Sequence, residues 1–250
     1  MGLDVIATLR DAWGLFRRDR TLLVALIAPF VFWPTLAVYL LVPAPPKPAE
    51  GAGASSTGML AWVDSVGAWA GQYGGWYVAA YAIGLIGTAA VLALQLGAGR
   101  PTVADALART GRMMPRFLLA MMLVGLPVGA GMLLYILPGL YVAGRLMLVG
   151  PVLFAERRMA AMSALSRSVK LTRGAGLSMA ALVACTYLGG MIAAQPFLSL
   201  VDWVKGDSGI GNPVAIALLQ SGAAAVAMAT GLAQALISVA AYRRLVSLIH

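Results

Sequence analysis

Six long apolar runs constrain this chain more than any other feature. They read as Thr21–Val42, Gly75–Gly97, Phe117–Leu137, Leu140–Ala155, Gly176–Phe197 and Pro213–Ala241. A helix needs about 20 mostly apolar residues to cross a hydrocarbon layer of about 30 Å. Lipid offers no partner for a backbone N–H or C=O, so such runs must satisfy their own backbone as helices. Six crossings with short connections use nearly all of the 250 residues. The expected fold class is all-α: a polytopic membrane protein with about six transmembrane helices plus amphipathic juxtamembrane helices, forming one integral membrane domain over residues 1–250. No length remains for a separate soluble catalytic domain. Charge usage agrees, since only 11% of residues are charged where a soluble surface needs about 25%.

Direction follows from the 18 basic residues. Arg10, Arg17, Arg18 and Arg20 precede the first run. Arg100, Arg109, Arg112 and Arg116 lie between the second and third. Arg157, Arg158, Arg167, Lys170 and Arg173 lie between the fourth and fifth, and Arg243 and Arg244 follow the sixth. These fifteen share one side; Lys47 and Lys205 alone lie opposite, and Arg145 falls inside a run. Cytoplasmic loops are enriched in Lys and Arg, so both termini are expected in the cytoplasm. The net charge of +9 is then a topology signal, and no nucleic-acid partner is expected. The first run is too long for a signal-peptide core and reads as an uncleaved first helix.

Each basic stretch patterns as a short surface helix. Ile6, Leu9, Trp13 and Phe16 recur at helical spacing. Thr102 with Asp105 forms a capping-box start after Pro101, with Val103 and Leu107 on one face. Met162, Leu165, Val169 and Thr172 share a face opposite Arg167, Lys170 and Arg173. Such helices bury an apolar side at the headgroup boundary while cations meet anionic lipid. Ala106–Arg112 resembles Ala164–Lys170, which suggests three units of surface helix, span and returning span. On the opposite side, Val42–Pro48 and Gly51–Gly58 form a Pro/Gly/Ser linker. Trp62, Val66, Trp69, Tyr73 and Trp76 then make an aromatic stripe expected at a headgroup layer. Trp203 stands with Asp202, Lys205 and Asp207 in the last such loop. Leu137-Pro138-Gly139 predicts a reversal between the third and fourth runs, leaving a full hairpin crossing or a re-entrant one open.

Few residues suggest chemistry. Arg145 is the one charge well inside a run, where a cation costs about 2.5–3.5 kcal/mol and faces an interior, a cavity or a partner. With no carboxylate at that depth, its partners are helix carbonyls, polar side chains, or a lipid or substrate phosphate. Arg145, Arg167, Lys170 and Arg173 are the lipid- or anion-binding candidates. Gln220, Thr230, Gln234 and Ser238 line up on the last run as a polar path, or as glue between helices together with Gln95, Gln195 and Gly125-x3-Gly129. Pro29, Pro34, Pro127 and Pro151 can kink their helices. Cys185 reads as a small buried hydrophobe, and the only histidine is His250. Asp64, Asp202 and Asp207 are isolated. No catalytic constellation, metal site or cofactor is expected.

The segment Pro138-Gly139-Leu140-Tyr141, Arg145, Pro151, Glu156 and Ala164-Leu165-x-Arg167-Ser168-x-x-Leu171-Thr172-x-Gly174 resembles the membrane domain of bacterial glycerophosphoryl diester phosphodiesterases, and related stand-alone inner-membrane proteins. The opening Asp11-Ala12-Trp13-x-Leu15-Phe16-Arg17 is similar to that family's start. In full-length members the chemistry belongs to a separate barrel that this chain lacks, so phosphodiesterase activity does not transfer. The resemblance implies a bacterial cytoplasmic (inner) membrane and a lipid-linked role. The expected function is non-enzymatic: binding or organising phospholipid, or assisting a lipid-handling partner. The alternatives are a small-solute or lipid transporter, and a structural subunit that meets a membrane protein partner or a second copy through its Ala/Gly-rich last span.

Overall fold

The computed structural model describes residues 3–48, 56–97, 99, 102–156, 159–206 and 211–248. Arg100, Pro101, Arg157, Arg158, Asp207, His250 and most of the Gly51–Gly58 stretch lie outside the described residues. The described residues are mostly helical: α1 (Val5–Leu41), α2 (Ser56–Gln95), α3 (Val103–Leu134), α4 (Ile136–Leu146), α5 (Val149–Ala155), α6 (Ala161–Leu171), α7 (Gly176–Lys205) and α8 (Pro213–Ser247). Six helical stretches are long and apolar enough to cross a membrane, with α4 and α5 together making the fourth. The chain is an all-α, multi-pass membrane protein.

The spans form a closed ring. Neighbours run α1–α2–α3–α4–α7–α8, and α8 returns to α1. In the most apolar stretches of α8 and of the fourth span 50% of residues are buried, against 17% for α3, which makes α3 the most outward-facing of the six. Small residues let α8 approach its neighbours: Phe197 fills the space beside Gly222, and Thr230 the space beside Gly190. The Ala/Gly-rich face is thus used largely within the chain. Gly125 and Gly129, by contrast, have nothing within 4 Å of a built Cβ, so that motif makes no close crossing here. Backbone meets backbone at two helix crossings, Gly131 on Gly139 between α3 and α4 and Gly144 on Ala180 between α4 and α7.

One of the three expected surface helices is not separate. The first, at the start of α1, is set off from the span by a kink at Asp19 (φ −122°, ψ 25°), where two helices join end to end just before the expected Thr21 boundary, and Pro29 and Pro34 lie further along. The second is the start of α3, with the expected capping box complete: the Thr102 hydroxyl accepts from Asp105 N–H, and the Asp105 carboxylate accepts from Thr102 N–H. The third is α6, a helix of its own. The apolar residues read in the sequence as meeting the headgroup boundary are partly distinct from those that face the protein. Thr8, Ala12 and Leu15 are buried where Ile6 and Trp13 point outward; Ala161, Ala164, Ser168 and Leu171 are buried where Met162 and Val169 point outward. In lipid an outward apolar side chain costs nothing, so hydrophobicity alone does not mark the protein-facing side. Cys185 likewise is exposed, beside the inward stripe of Met179, Leu182 and Val183 on α7.

The α3–α4 reversal falls at Tyr135, slightly before Pro138-Gly139. Tyr135 is extended (φ −164°, ψ 153°), yet its N–H donates to Gly131 O and its carbonyl accepts from Gly139 N. Pro138 has no N–H to satisfy in the first turn of α4. The break therefore leaves little unpaired backbone, as an apolar setting demands. Leu133–Leu137 at this tip are all strongly exposed. The fourth span breaks again at Met147–Leu148, not at Pro151, which sits in the first turn of α5.

The helix α2, with 40 residues, extends about 60 Å, twice the hydrocarbon thickness. Its N-terminal half carries the aromatic stripe. The Trp62 and Trp69 indole N–H groups donate to the carbonyls of Pro46 and Pro43, each at 3.0 Å. A proline-rich segment has carbonyls without matching N–H donors of its own, and the stripe supplies them. Residues Val42–Pro48 are a strap held to α2 by these two bonds.

Candidate functional site

The polar machinery concentrates where the two terminal segments meet, joined by Arg244 Nε to Asp11 Oδ2 at 2.5 Å. At that end α5 plugs the ring. Val149, Val152, Leu153 and Phe154 are all at most 1% exposed, and the Phe154 ring meets Phe117 edge-on at 5.7 Å. Arg109 of α3 donates to the Phe154 carbonyl and lies over its ring. Arg167 of α6 bonds Glu156 Oε1 at 3.1 Å, and Tyr242 of α8 donates to the same oxygen at 3.4 Å. The C-terminal end of α5, where carbonyls lack intrahelical partners and cations are favoured, is thus held by two arginines.

Those two arginines occupy matching positions of the faint repeat. Ala106 matches Ala164, Arg109 matches Arg167 and Thr110 matches Ser168; the Ala and hydroxyl positions are at most 1% exposed in both copies. The copies lie on α3 and α6, which pack together and both touch α5. The repeat is a two-sided bracket around one short helix. Sequence reading missed Arg109, Glu156 and Tyr242 as members, although the alignment of Arg109 with Arg167 was the available signal.

Arg145 ends α4 and reaches the C-terminal turn of α6. Its guanidinium donates to Val169 O at 3.0 Å and Thr172 O at 3.3 Å. The Ser168 hydroxyl returns a bond to Arg145 O at 2.7 Å, and Tyr141 lies 6.0 Å beneath the cation. Gly174 (φ +85°) then turns the chain into α7, a backbone state glycine adopts without strain. Among the partners foreseen for Arg145, the structure supplies helix carbonyls. Two of the five guanidinium N–H donors are used in these bonds. Arg145→Lys keeps the charge but loses the fork. A charge-assisted bond contributes about 1.5–3 kcal/mol, so the amides of Thr172, Arg173 and Ala175 should exchange with deuterium at least about tenfold faster. Unchanged exchange would remove the capping role.

The remaining candidates separate. Arg167 is committed to Glu156, whereas Lys170 and Arg173 are exposed at the end of α6. Gln220 lines a cavity of about 960 Å³ at the far end of the bundle. Gln234 and Ser238 line another, of about 230 Å³, beside Thr88 and Tyr187. Thr230 bonds only Val226 O of its own helix, at 2.8 Å, and lines neither cavity. The four residues share α8, and each of these two cavities meets only part of the set. Among the described residues no group of three His, Cys, Asp or Glu side chains could hold a metal ion.

Fold and site together define the class, a multi-pass membrane protein closed at one end by a bracketed helix. Comparison with family models, curated proteins and solved structures finds no match to the chain.

Proposed function

We propose that this protein is a non-enzymatic component of the bacterial cytoplasmic membrane, with both termini in the cytoplasm, that binds and organises anionic phospholipid in the inner leaflet, alone or beside a lipid-handling partner. One observation carries the reading. At the terminal end, exposed apolar residues and exposed cations lie side by side: Ile6 and Trp13 share a face with Arg10 and Arg17 on α1, and exposed Val169 adjoins Lys170 at the end of α6, with Arg173 in the turn that follows. Such mixed faces suit a headgroup boundary, where the apolar side enters the acyl region and the cations meet phosphate. An apolar groove of about 400 Å³ between α1 and α8, lined by Leu9, Trp13, Phe16 and Leu236, adds room for an acyl chain next to Arg10 and Arg17.

The non-enzymatic part of the reading rests on the sequence, with its single terminal histidine and scattered carboxylates. The kinship with the membrane modules of glycerophosphoryl diester phosphodiesterases belongs to the same proposal. In its support, Arg145, Glu156, Arg167, Ser168, Thr172 and Gly174 of the resembling segment converge on the fixing of α5 and α6.

The test is native mass spectrometry of the full chain released from bilayers containing phosphatidylglycerol and phosphatidylcholine. Each basic residue near an anionic surface contributes about 1 kcal/mol. The double substitution Lys170→Gln/Arg173→Gln should therefore weaken preferential retention of phosphatidylglycerol by about tenfold or more. Equal retention by both proteins, or no preference in the wild type, would defeat the proposal.

A further inference from the structure

The groove between α1 and α8 crosses the kink of α1. Leu9, Trp13 and Phe16 line it before Asp19, Val24 lines it after, and Ala229 and Leu236 belong to the opposite wall. Its lining, about 400 Å³ in volume, is made of aliphatic, thioether and aromatic side chains only. Trp13, Val24 and Ala229 are exposed, so the groove opens outward between the two helices. The segment Val5–Arg18 therefore joins the first span at a kink and meets α8 across an apolar seam.

Charge beside the seam is unbalanced. The carboxylates are engaged: Asp19 takes Arg18, with Gln95 Nε2 at 3.4 Å, and Asp11 takes Arg244. Arg10 and Arg17 are exposed and make no hydrogen bond or ion pair among the described residues. They stand three residues before Trp13 and four after it, so both flank that ring on one helix face. Along the helix they are about 10 Å apart, a gap that two arginine side chains can close on one phosphate. A soluble anion would use the arginines and leave the groove; an uncharged acyl chain would use the groove and leave the arginines. A phospholipid with a net negative head uses both.

We propose that this groove is a site for one anionic phospholipid, its phosphate between Arg10 and Arg17 and one acyl chain in the seam, and that the lipid fastens Val5–Arg18 to α8. The proposal rests on the inner-leaflet lipid reading and deepens it, assigning a discrete site built from α1 and α8 and not from Lys170 or Arg173.

Hydrogen exchange of the full chain is compared in nanodiscs of phosphatidylcholine alone and of phosphatidylcholine mixed with phosphatidylglycerol. A ligand bound only to the docked segment slows its opening by mass action, so amides of residues 5–18 should exchange about fivefold or more slowly with phosphatidylglycerol present. Arg10→Gln/Arg17→Gln should weaken the lipid about tenfold or more and abolish the slowing. Ala229→Phe keeps every charge, fills the groove from an exposed position on α8, and should abolish the slowing as well. A segment that merely lies on an anionic surface would still be slowed in Ala229→Phe. That result, or wild-type exchange alike in the two membranes, would overturn the proposal, and the wild-type comparison decides even if a variant fails to fold. Native mass spectrometry tells the two failures apart. A wild-type chain that prefers phosphatidylglycerol without slowing of the segment defeats the groove site alone, whereas no preference defeats the broader reading with it.

Discussion

Alanine at Gly144 should drive α4 away from α7 and leave the protein unable to hold its ring in mild detergent. A Cβ there would lie 2.5 Å from Ala180 N and 2.8 Å from Ala180 Cα and Met179 C. All three are backbone atoms, so no rotamer change relieves the overlap. Overpacking typically costs about 1–3 kcal/mol, and a clash between two helix backbones belongs at the upper end of that range. Arg145 is the next residue, so moving α4 also draws its guanidinium off α6. Unfolding in mixed micelles, followed by helical circular dichroism, should show a marked drop for Gly144→Ala. Gly125→Ala, where the new methyl meets nothing within 4 Å, should stay within about 0.5 kcal/mol of wild type, as surface substitutions do. Equal stability of the two variants would refute the α4–α7 crossing.

Phe154→Ala is the second large effect. The ring is 0% exposed and packed on Phe117, with the Arg109 guanidinium 6.0 Å from its centre. Protein surrounds α5 on every side, so a cavity there cannot be filled by a lipid tail, and the soluble-core figure of about 3–5 kcal/mol applies. The Phe154 carbonyl survives the substitution, so Arg109 keeps its acceptor and the loss reports packing alone. Arg109→Met removes the bond and leaves the ring. The two losses should not add, because both act on the seating of one short helix. A Phe154→Ala protein as stable as wild type would mean that α5 does not plug the ring.

How much of this was legible in the sequence divides by physical cause. The six spans were, because lipid forces long apolar runs into helices whatever their partners. The Thr102–Asp105 start was also legible, since a capping box is a local bargain between neighbours. The inward faces were not: Trp13 and Met162 carry the same hydrophobicity as buried residues, and lipid accepts them as readily as a core does. Arg145 was recognised as exceptional, but its acceptors, Val169 O and Thr172 O, are backbone atoms with no sequence signature. The polar stripe on α8 is divided between two cavities, an interhelical bond from Gln220 and a within-helix bond at Thr230. Helical spacing aligned Gln220, Thr230, Gln234 and Ser238, yet the packing of Thr230 against Gly190 is decided by α7, not by α8. The strap was read as a featureless linker because its hydrogen bonds come from tryptophans on another helix.

Closing the ring through α1 and α8 has a consequence for biogenesis. The helix α1 is made long before its mate α8, and the Asp11–Arg244 pair joins positions 233 residues apart. Until α8 is synthesised α1 must wait in lipid with its future contact surface uncovered, and contacts so distant along the chain are slow to form. Truncation before the sixth rod would therefore strand a half-built, open structure with two unsatisfied flanks, an obvious substrate for membrane quality control.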